Sequence, residues 1–399
     1  MHPAPELSLP LAMLIVFGTA KLMAELFERF HQPGIVGEIL AGAIIGPSVL
    51  GWISPNPTLS ALADLGVMFL LFGVGLEVKA AELVKVGGTA TIVAAAGVIV
   101  PFFAGWGLMN FWGAPTAEAI FVGASLVATS VGITASVLSA RGLLHEVASK
   151  VILAAAVIDD VLGLIVLAVV SSLSRGRINI WEIVLTATLA SAFTVIVAYW
   201  GTRAVGHMVP RVESRLRAGE VQFNMAMILL FVLAVLAMYT GVAAIIGAFL
   251  AGMALSETAG PRVRDLSKGV NELLVPFFLA GIGLHLDVRV FADRSTVLLA
   301  AGILGLAVVT KLIGCGLGAI SLGWSNMLKI GLGMVPRGEV GMVVAQIGLS
   351  LAVIRQSTYA VVVFMAVAST IVTPLLLKVA FREPRVEVEA FREEQVPVG

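Results

Sequence analysis

The stretch VILAAAVIDDVLGLIVLAVVSS, residues Val151–Ser172, decides how this chain folds. Its length predicts one membrane-spanning helix, because about 20 apolar residues at 1.5 Å each cross a hydrocarbon core of roughly 30 Å. Its only charged residues are the adjacent acids Asp159 and Asp160. Since one aspartate at mid-membrane costs about 2.5 to 3.5 kcal/mol, the pair predicts an ion or proton site. The alternative is a buried polar cluster that fixes helix packing.

The composition is that of a protein with many membrane spans. Of the 399 residues, 59% are hydrophobic and 13% are charged, whereas a soluble domain carries about 25% charged residues. The 42 glycines suit membrane helices, where small residues let two backbones approach closely. A formal net charge of zero argues against a nucleic-acid partner. The expected surrounding is therefore the lipid bilayer.

Hydrophobic runs separated by charged or Pro/Gly-rich breaks predict an all-α protein with about thirteen spans, or twelve if interrupted runs are merged. The predicted limits are 7–29, 33–51, 59–77, 86–112, 115–140, 147–173, 180–206, 220–240, 241–257, 268–284, 295–322, 325–350 and 357–380.

The distribution of basic residues predicts the orientation. With the N-terminus outside, most of the 25 Lys and Arg lie on or near the inner side, as the positive-inside rule requires. The outer loops then hold only Arg175, Arg177, Arg289, Arg294 and Arg355. We therefore expect the C-terminus in the cytoplasm, with residues 383–399 as a short tail and no nucleotide-binding domain.

Two pairs of similar segments indicate an internal repeat. VGEILAGAIIG (Val36–Gly46) matches IGAFLAGMALS (Ile246–Ser256) at an offset of 210, and FLLFGVGL (Phe69–Leu76) matches FFLAGIGL (Phe277–Leu284) at an offset of 208. The paired spans are about seven apart, an odd number, so the halves are predicted to have opposite topology, a common plan in transporters. The seventh span is then the unpaired connector.

Two spans at equivalent positions of this repeat are predicted to be interrupted. The fifth contains TSVGIT (Thr129–Thr134), whose glycine and hydroxyl residues tolerate unwinding; the twelfth contains GLGMVPRGEVG (Gly331–Gly341). Pro336 removes a backbone donor and clashes with the preceding turn. Arg337 and Glu339 have opposite charges and are expected to neutralise each other or the freed helix ends. Such paired interruptions point to a transport site; the alternative for either segment is an ordinary kink.

Lys311 lies in the middle of the eleventh span. Because neighbouring residues on a helix point about 100° apart, one aspartate of the pair can face Lys311 while the other faces an ion path. The alternative is a lysine that extends to the membrane surface.

These segments together resemble a known family. AAAVIDDVLGLIVLAVV (Ala154–Val170), ATSVGITASVL (Ala128–Leu138), VVTKLIG (Val308–Gly314) and MVPRGEVGMVVA (Met334–Ala345) are similar to bacterial monovalent cation:proton antiporters, closest to the electrogenic, paired-aspartate sodium/proton antiporters of the NapA type. The resemblance implies a homodimer in the bacterial inner membrane, in which a core domain moves like an elevator against a dimerisation domain. It assigns 7–80 and 220–284 to the dimerisation domain, 86–173 and 295–380 to the core, and 180–206 to a linker helix.

The resemblance also implies the site. Asp160 matches the acid that binds the cation or proton, and Asp159 matches the acid that pairs with the lysine, here Lys311. The implied sodium ligands are Asp160, Asp159, Thr129 and Ser130, and the implied interruptions of the crossing helices are at Thr129, Ser130, Thr134, Pro336, Arg337 and Glu339.

The expected function is exchange of sodium or lithium for protons, without covalent chemistry and without a cofactor beyond the transported ions. Potassium/proton exchange by the same family and sodium-coupled solute symport by the same fold are the alternatives. A channel is disfavoured because no filter-like segment repeats. An intramembrane aspartyl protease is disfavoured because adjacent acids point apart and form no dyad.

Overall fold

The computed structural model describes residues 8–30, 32–174, 180–213 and 220–381, and the regular structure of these residues is helical. The fifteen α-helices are α1 Leu9–Arg29, α2 Gly34–Ile45, α3 Pro57–Glu77, α4 Ala80–Phe111, α5 Thr116–Ser125, α6 Val131–Ala140, α7 Val147–Ser174, α8 Ile180–Glu213, α9 Val221–Tyr239, α10 Ala244–Leu255, α11 Pro261–Leu284, α12 Arg294–Gly318, α13 Trp324–Gly333, α14 Glu339–Ser350 and α15 Gln356–Ala380. Short 3₁₀ helices at Val288–Ala292 and Ile320–Leu322 flank α12.

The helices follow the predicted hydrophobic runs. Each run contains one helix, except 115–140 and 325–350, which each contain a pair. In the described part of the chain, seven helices are long and apolar enough to cross a membrane by themselves: α1, α3, α4, α7, α9, α12 and α15. The chain is therefore a multi-pass membrane protein. The predictions for residues 1–7, for Arg175 and Arg177, and for the tail 383–399 lie outside the described residues.

Among the helix limits that differ from the prediction, two have identifiable reasons. α11 begins at Pro261 rather than 268, because its charged first turns are tied to neighbouring backbone: Arg264 donates to the carbonyl oxygens of Leu76 at 2.7 Å and Ser256 at 2.9 Å. α2 ends at Ile45 rather than 51, because the proline at 47 disfavours helical backbone in the residue before it.

The helices pack as two groups. The first group consists of helices that contact one another, namely α1, α2, α3, α9, α10 and α11. The second group consists of α4 to α7 together with α12 to α15, which they contact. The long helix α8 lies against α10 of the first group and α7 of the second.

Equivalent glycines make the closest helix crossings of the first group. A Cβ atom on Gly42 would lie 1.9 Å from the carbonyl oxygen of Ala280, and one on Gly252 would lie 2.1 Å from that of Phe72. Gly42 and Gly252 occupy the same position in the two similar segments found in the sequence. Only glycine allows this approach, so the sequence similarity reflects a shared packing requirement.

An apolar cluster fills the boundary between the two groups. Ile39, Val67, Leu70 and Phe278 of the first group pack with Ile133 of the second. Cavities lie on both sides of this cluster. The one we call the Asp64 cavity, about 330 Å³, lies between α3 and α11 on one wall and α14 and α15 on the other. The Glu38 cavity, about 660 Å³, lies between α1, α2 and α11 and the ends of α6 and α15.

Candidate ion-binding site

The two interrupted helices meet inside the second group. The first interruption separates α5 from α6 at 126–130, and the second separates α13 from α14 at 334–338. The backbone N–H of Ser130 donates to the carbonyl oxygen of Pro336 at 2.8 Å. The Thr134 hydroxyl donates to the carbonyl oxygen of Gly333 at 2.6 Å. The non-helical segments are therefore in direct contact, and neither sequence is merely kinked.

The position of the first interruption corrects the prediction. It ends at Ser130, so Thr134 is helical and contributes a side-chain hydrogen bond instead of freed backbone. Gly132, which the sequence suggested as a point of unwinding, lies in the first turn of α6, where a Cβ would be 2.9 Å from Cγ2 of Val67. That glycine therefore serves a close contact between the two helix groups.

Arg337 holds the two interruptions together. Its guanidinium is completely buried and donates to the carbonyl oxygens of Val127 at 3.1 Å, Ala128 at 3.3 Å and Ala307 at 3.2 Å. The first two carbonyls lie in the first interruption, just after α5, where no following helical turn provides a donor. Arg337 therefore compensates freed backbone carbonyls, as one of the two expectations stated. Glu339 begins α14, and its side chain lies outside the described residues.

Asp159 and Lys311 form a buried ion pair between α7 and α12. The ammonium nitrogen lies 3.3 Å from Oδ2 and 3.4 Å from Oδ1 of Asp159. Both side chains are fully excluded from solvent, so Lys311 does not extend to a membrane surface. These separations exceed the roughly 2.7–2.9 Å of a tight charge-assisted hydrogen bond. The pair is therefore close enough to neutralise its charges without forming a short bond.

The remaining predicted ligands are nearly buried polar groups. Asp160 follows Asp159 on α7 and is 7% exposed, while Thr129 and Ser130, at the end of the first interruption, are 4% and 6% exposed. The hydroxyl oxygen of Thr129 has no hydrogen-bond partner among the described residues. Carboxylate, hydroxyl and carbonyl oxygens are the hard ligands that small alkali cations prefer, and the donor set here is of that kind.

Sequence reasoning missed Ser369, whose hydroxyl accepts the backbone N–H of Arg337 at 3.1 Å. No signal in the sequence identifies it, because one serine in an apolar helix is ordinary and its partner is distant in the chain. The carbonyl of Ala307 was missed because its partner Arg337 is also distant in the chain.

Non-helical backbone at membrane depth is tolerated where it is buried in protein or lines a water-filled cavity. Two such segments that cross beside a buried carboxylate–ammonium pair define the chain as a membrane transporter of the broken-helix class. Within that class, it belongs to the sodium/hydrogen exchanger family: the family model described as "Sodium/hydrogen exchanger, transmembrane" matches residues 12–383. This confirms the predicted family at that level.

The chain is similar over most of its length to proteins named as antiporters. It is 33% identical to the high-affinity Na⁺/H⁺ antiporter NhaS3 of Synechocystis, covering 97% of this chain and 91% of that protein. It is 34% identical to the Na⁺/H⁺–K⁺ antiporter GerN of Bacillus cereus, covering 92% and 95%. Its fold matches the sodium proton antiporter MjNhaP1 of Methanocaldococcus jannaschii with a TM-score of 0.65 at 17% identity, covering 94% of this chain and 99% of that one.

Proposed function

We propose that this protein exchanges sodium or lithium for protons across a bacterial cell membrane, as an electrogenic antiporter of the paired-aspartate type. The observation that carries the proposal is the buried Asp159–Lys311 pair beside the crossing interruptions in a chain of the exchanger family. The names of the similar proteins support this activity.

The proposed chemistry is competition at Asp160. A carboxylate buried to this degree is stable when a proton or a cation neutralises it, and one ligand excludes the other. The hydroxyl of Thr129, with Ser130 and Asp159, would complete an oxygen site for a dehydrated cation. Lys311 holds Asp159 in place and keeps the site close to neutral while it is empty.

The proposed movement is an elevator-type displacement of the second helix group against the first. The buried side chains of the cluster between the groups are apolar, and a cavity lies on each side of it. In this proposal the first group, residues 7–80 and 220–284, forms the dimer. The thirteen spans would form two inverted repeats joined by α8, with the N-terminus outside and the C-terminus in the cytoplasm.

The test is cation-dependent dissipation of a proton gradient in proteoliposomes. The wild type is expected to respond to sodium or lithium without any added solute, which separates exchange from solute symport. Asp160→Asn is expected to insert and fold but to abolish the response, because a neutral amide cannot alternate between a proton and a cation. Asp265→Asn, the same change at an exposed position of α11, is the control and should remain active. Sodium-driven proton movement by the Asp160 variant would refute the proposal.

A second candidate is potassium/proton exchange, favoured by the name of GerN, which includes potassium. The same vesicles with potassium as the only alkali cation decide between them, because a sodium- or lithium-selective site gives no signal there.

A further inference from the structure

Gly97 lies where α4 passes the buried ammonium of Lys311. A Cβ atom on Gly97 would be 3.1 Å from Nζ of Lys311, 3.7 Å from its Cδ and 2.6 Å from Sγ of Cys315. Lys311 and Cys315 are four residues apart on α12 and therefore share one face of that helix. The end of the lysine side chain thus fills the space that the missing side chain of Gly97 leaves.

The same helix also contacts the other half of the ion pair. α4 packs against both α12, which carries Lys311, and α7, which carries Asp159. The ammonium nitrogen therefore lies close both to the backbone of α4 and to a carboxylate 3.3 Å away. Both partners are fully buried, so the lysine cannot give way toward solvent if α4 acquires a side chain here.

We propose that Gly97 is a positioning residue for Lys311: the absence of a side chain on α4 lets the ammonium sit against the helix backbone and sets its distance from Asp159. The inference rests on the proposed function for its consequence in transport, but the positioning itself is a statement about the ion pair. A methyl group at this position displaces Nζ by a few tenths of an ångström or forces a different rotamer, and either change weakens the pair.

A purely structural role for Gly97 has a matched control in the same helix crossing. A Cβ on Gly314 of α12 would lie 2.9 Å from the carbonyl oxygen of Ala96, one residue before Gly97. That contact is tight, but Lys311 is not among its nearest atoms. If Gly97 only lets the helices approach, Gly314→Ala and Gly97→Ala should have the same effects.

The test variant is Gly97→Ala combined with Cys315→Ala. Removing the thiol eliminates the 2.6 Å contact and makes room for the new methyl group, so the contact with Lys311 is isolated; Cys315→Ala alone is the background. The first measurement is thermal unfolding in detergent, in a double-mutant cycle with Asp159→Asn. In the Gly97→Ala/Cys315→Ala double variant, we expect Asp159→Asn to lower the Tm by at most half as much as it does in Cys315→Ala. In the Gly314→Ala background, we expect Asp159→Asn to lower the Tm as much as it does in the wild type.

The second measurement is the sodium dependence of proton movement in vesicles. A weakened Lys311 contact leaves more negative charge at the acid pair, so the cation binds more tightly and leaves more slowly. The apparent KM for sodium and the maximal rate are therefore both expected to fall, by about threefold or more, whereas Gly314→Ala should leave KM unchanged.

An Asp159→Asn penalty equal in the double variant and the Cys315→Ala background would overturn the inference, whatever the transport result. A wild type that moves no protons in response to any alkali cation would instead refute the proposed function, and the Tm cycle would still decide the role of Gly97.

Discussion

Replacing Arg337 with leucine removes the group that joins the two interruptions. The guanidinium makes three hydrogen bonds to carbonyl oxygens, on Val127, Ala128 and Ala307. A hydrogen bond from a charged donor contributes about 1.5 to 3 kcal/mol, and a buried acceptor left without a donor costs about 1 to 3 kcal/mol. These values describe the same loss from two directions, so they are not added.

The expected cost of Arg337→Leu is therefore about 4 to 5 kcal/mol, at the low end for three bonds, and it agrees with the roughly 3 to 5 kcal/mol for breaking a buried charged network. Arg337→Lys should recover part of this loss, because it retains the charge. It should not recover all of it, because an ammonium lacks the planar fork with which arginine reaches both the first interruption and the carbonyl on α12.

The assay is thermal unfolding of purified protein in detergent, with Arg29→Leu as the control. Arg29 forms an ion pair with Glu25 in which the side chains are 74% and 58% exposed, so its loss should cost less than about 1 kcal/mol. We expect the order wild type, Arg29→Leu, Arg337→Lys and Arg337→Leu in decreasing Tm. If Arg337→Leu unfolds at the same temperature as the control, the interruptions do not depend on the guanidinium and this reasoning is wrong.

Three further changes test other parts of the structure. If Lys311 carries a proton in each cycle, Lys311→Gln should make exchange insensitive to an imposed membrane potential, since one charge couples to the potential at about 2.3 kcal/mol per 100 mV. Equal voltage sensitivity in the wild type and the variant would mean that Lys311 has a purely structural role. In Gly132→Ala, the new Cβ would lie 2.9 Å from a methyl group of α3, so exchange should be slower although the protein still inserts. Gly107→Ala is the control and should exchange at the wild-type rate, because no atom lies within 4 Å of its Cβ. Equal rates in the two variants would show that the contact at Gly132 does not limit movement. Hydrogen bonds from Ser295 and then from Thr296 lower the pKa of Asp293, which precedes the first residue of α12. The ionised carboxylate therefore stabilises the fold at pH values above its unfolded pKa of about 3.9. This stabilisation is lost as the pH falls through the lower pKa of the folded state. The Tm deficit of Asp293→Ala should accordingly be present at pH 7 and shrink in acid, and a deficit that stays constant with pH would contradict the role of the charge.

Local chemistry was sufficient where a single residue determines the backbone. Pro336 cannot donate a hydrogen bond and clashes with the turn before it, and the helix ends at Gly333 as this requires. The acid pair was equally visible, because two charges in an apolar span have a high cost that a packing role alone does not explain.

Local chemistry was insufficient where the backbone depends on distant partners. The first interruption lies at 126–130 because the N–H of Ser130 bonds to Pro336 and the carbonyls before it bond to Arg337. Glycine and hydroxyl residues just beyond it suggested a later position, yet Gly132 is in a helix. Which residues unwind is decided by the opposite crossing helix, some 200 residues away in the sequence.

The balance of buried charge indicates how such a site would respond to a membrane potential. Among the described side chains of the site, two are cationic, Lys311 and Arg337, and two are acids, Asp159 and Asp160. Arg337 is engaged with carbonyl oxygens and Lys311 with Asp159. In the proposed mechanism, Asp160 is the acid whose neutralisation by a proton or a cation changes the charge of the group. These four charges sum to zero when the site is empty, so one bound proton or cation leaves one net positive charge, on which a membrane potential would act in the proposed cycle.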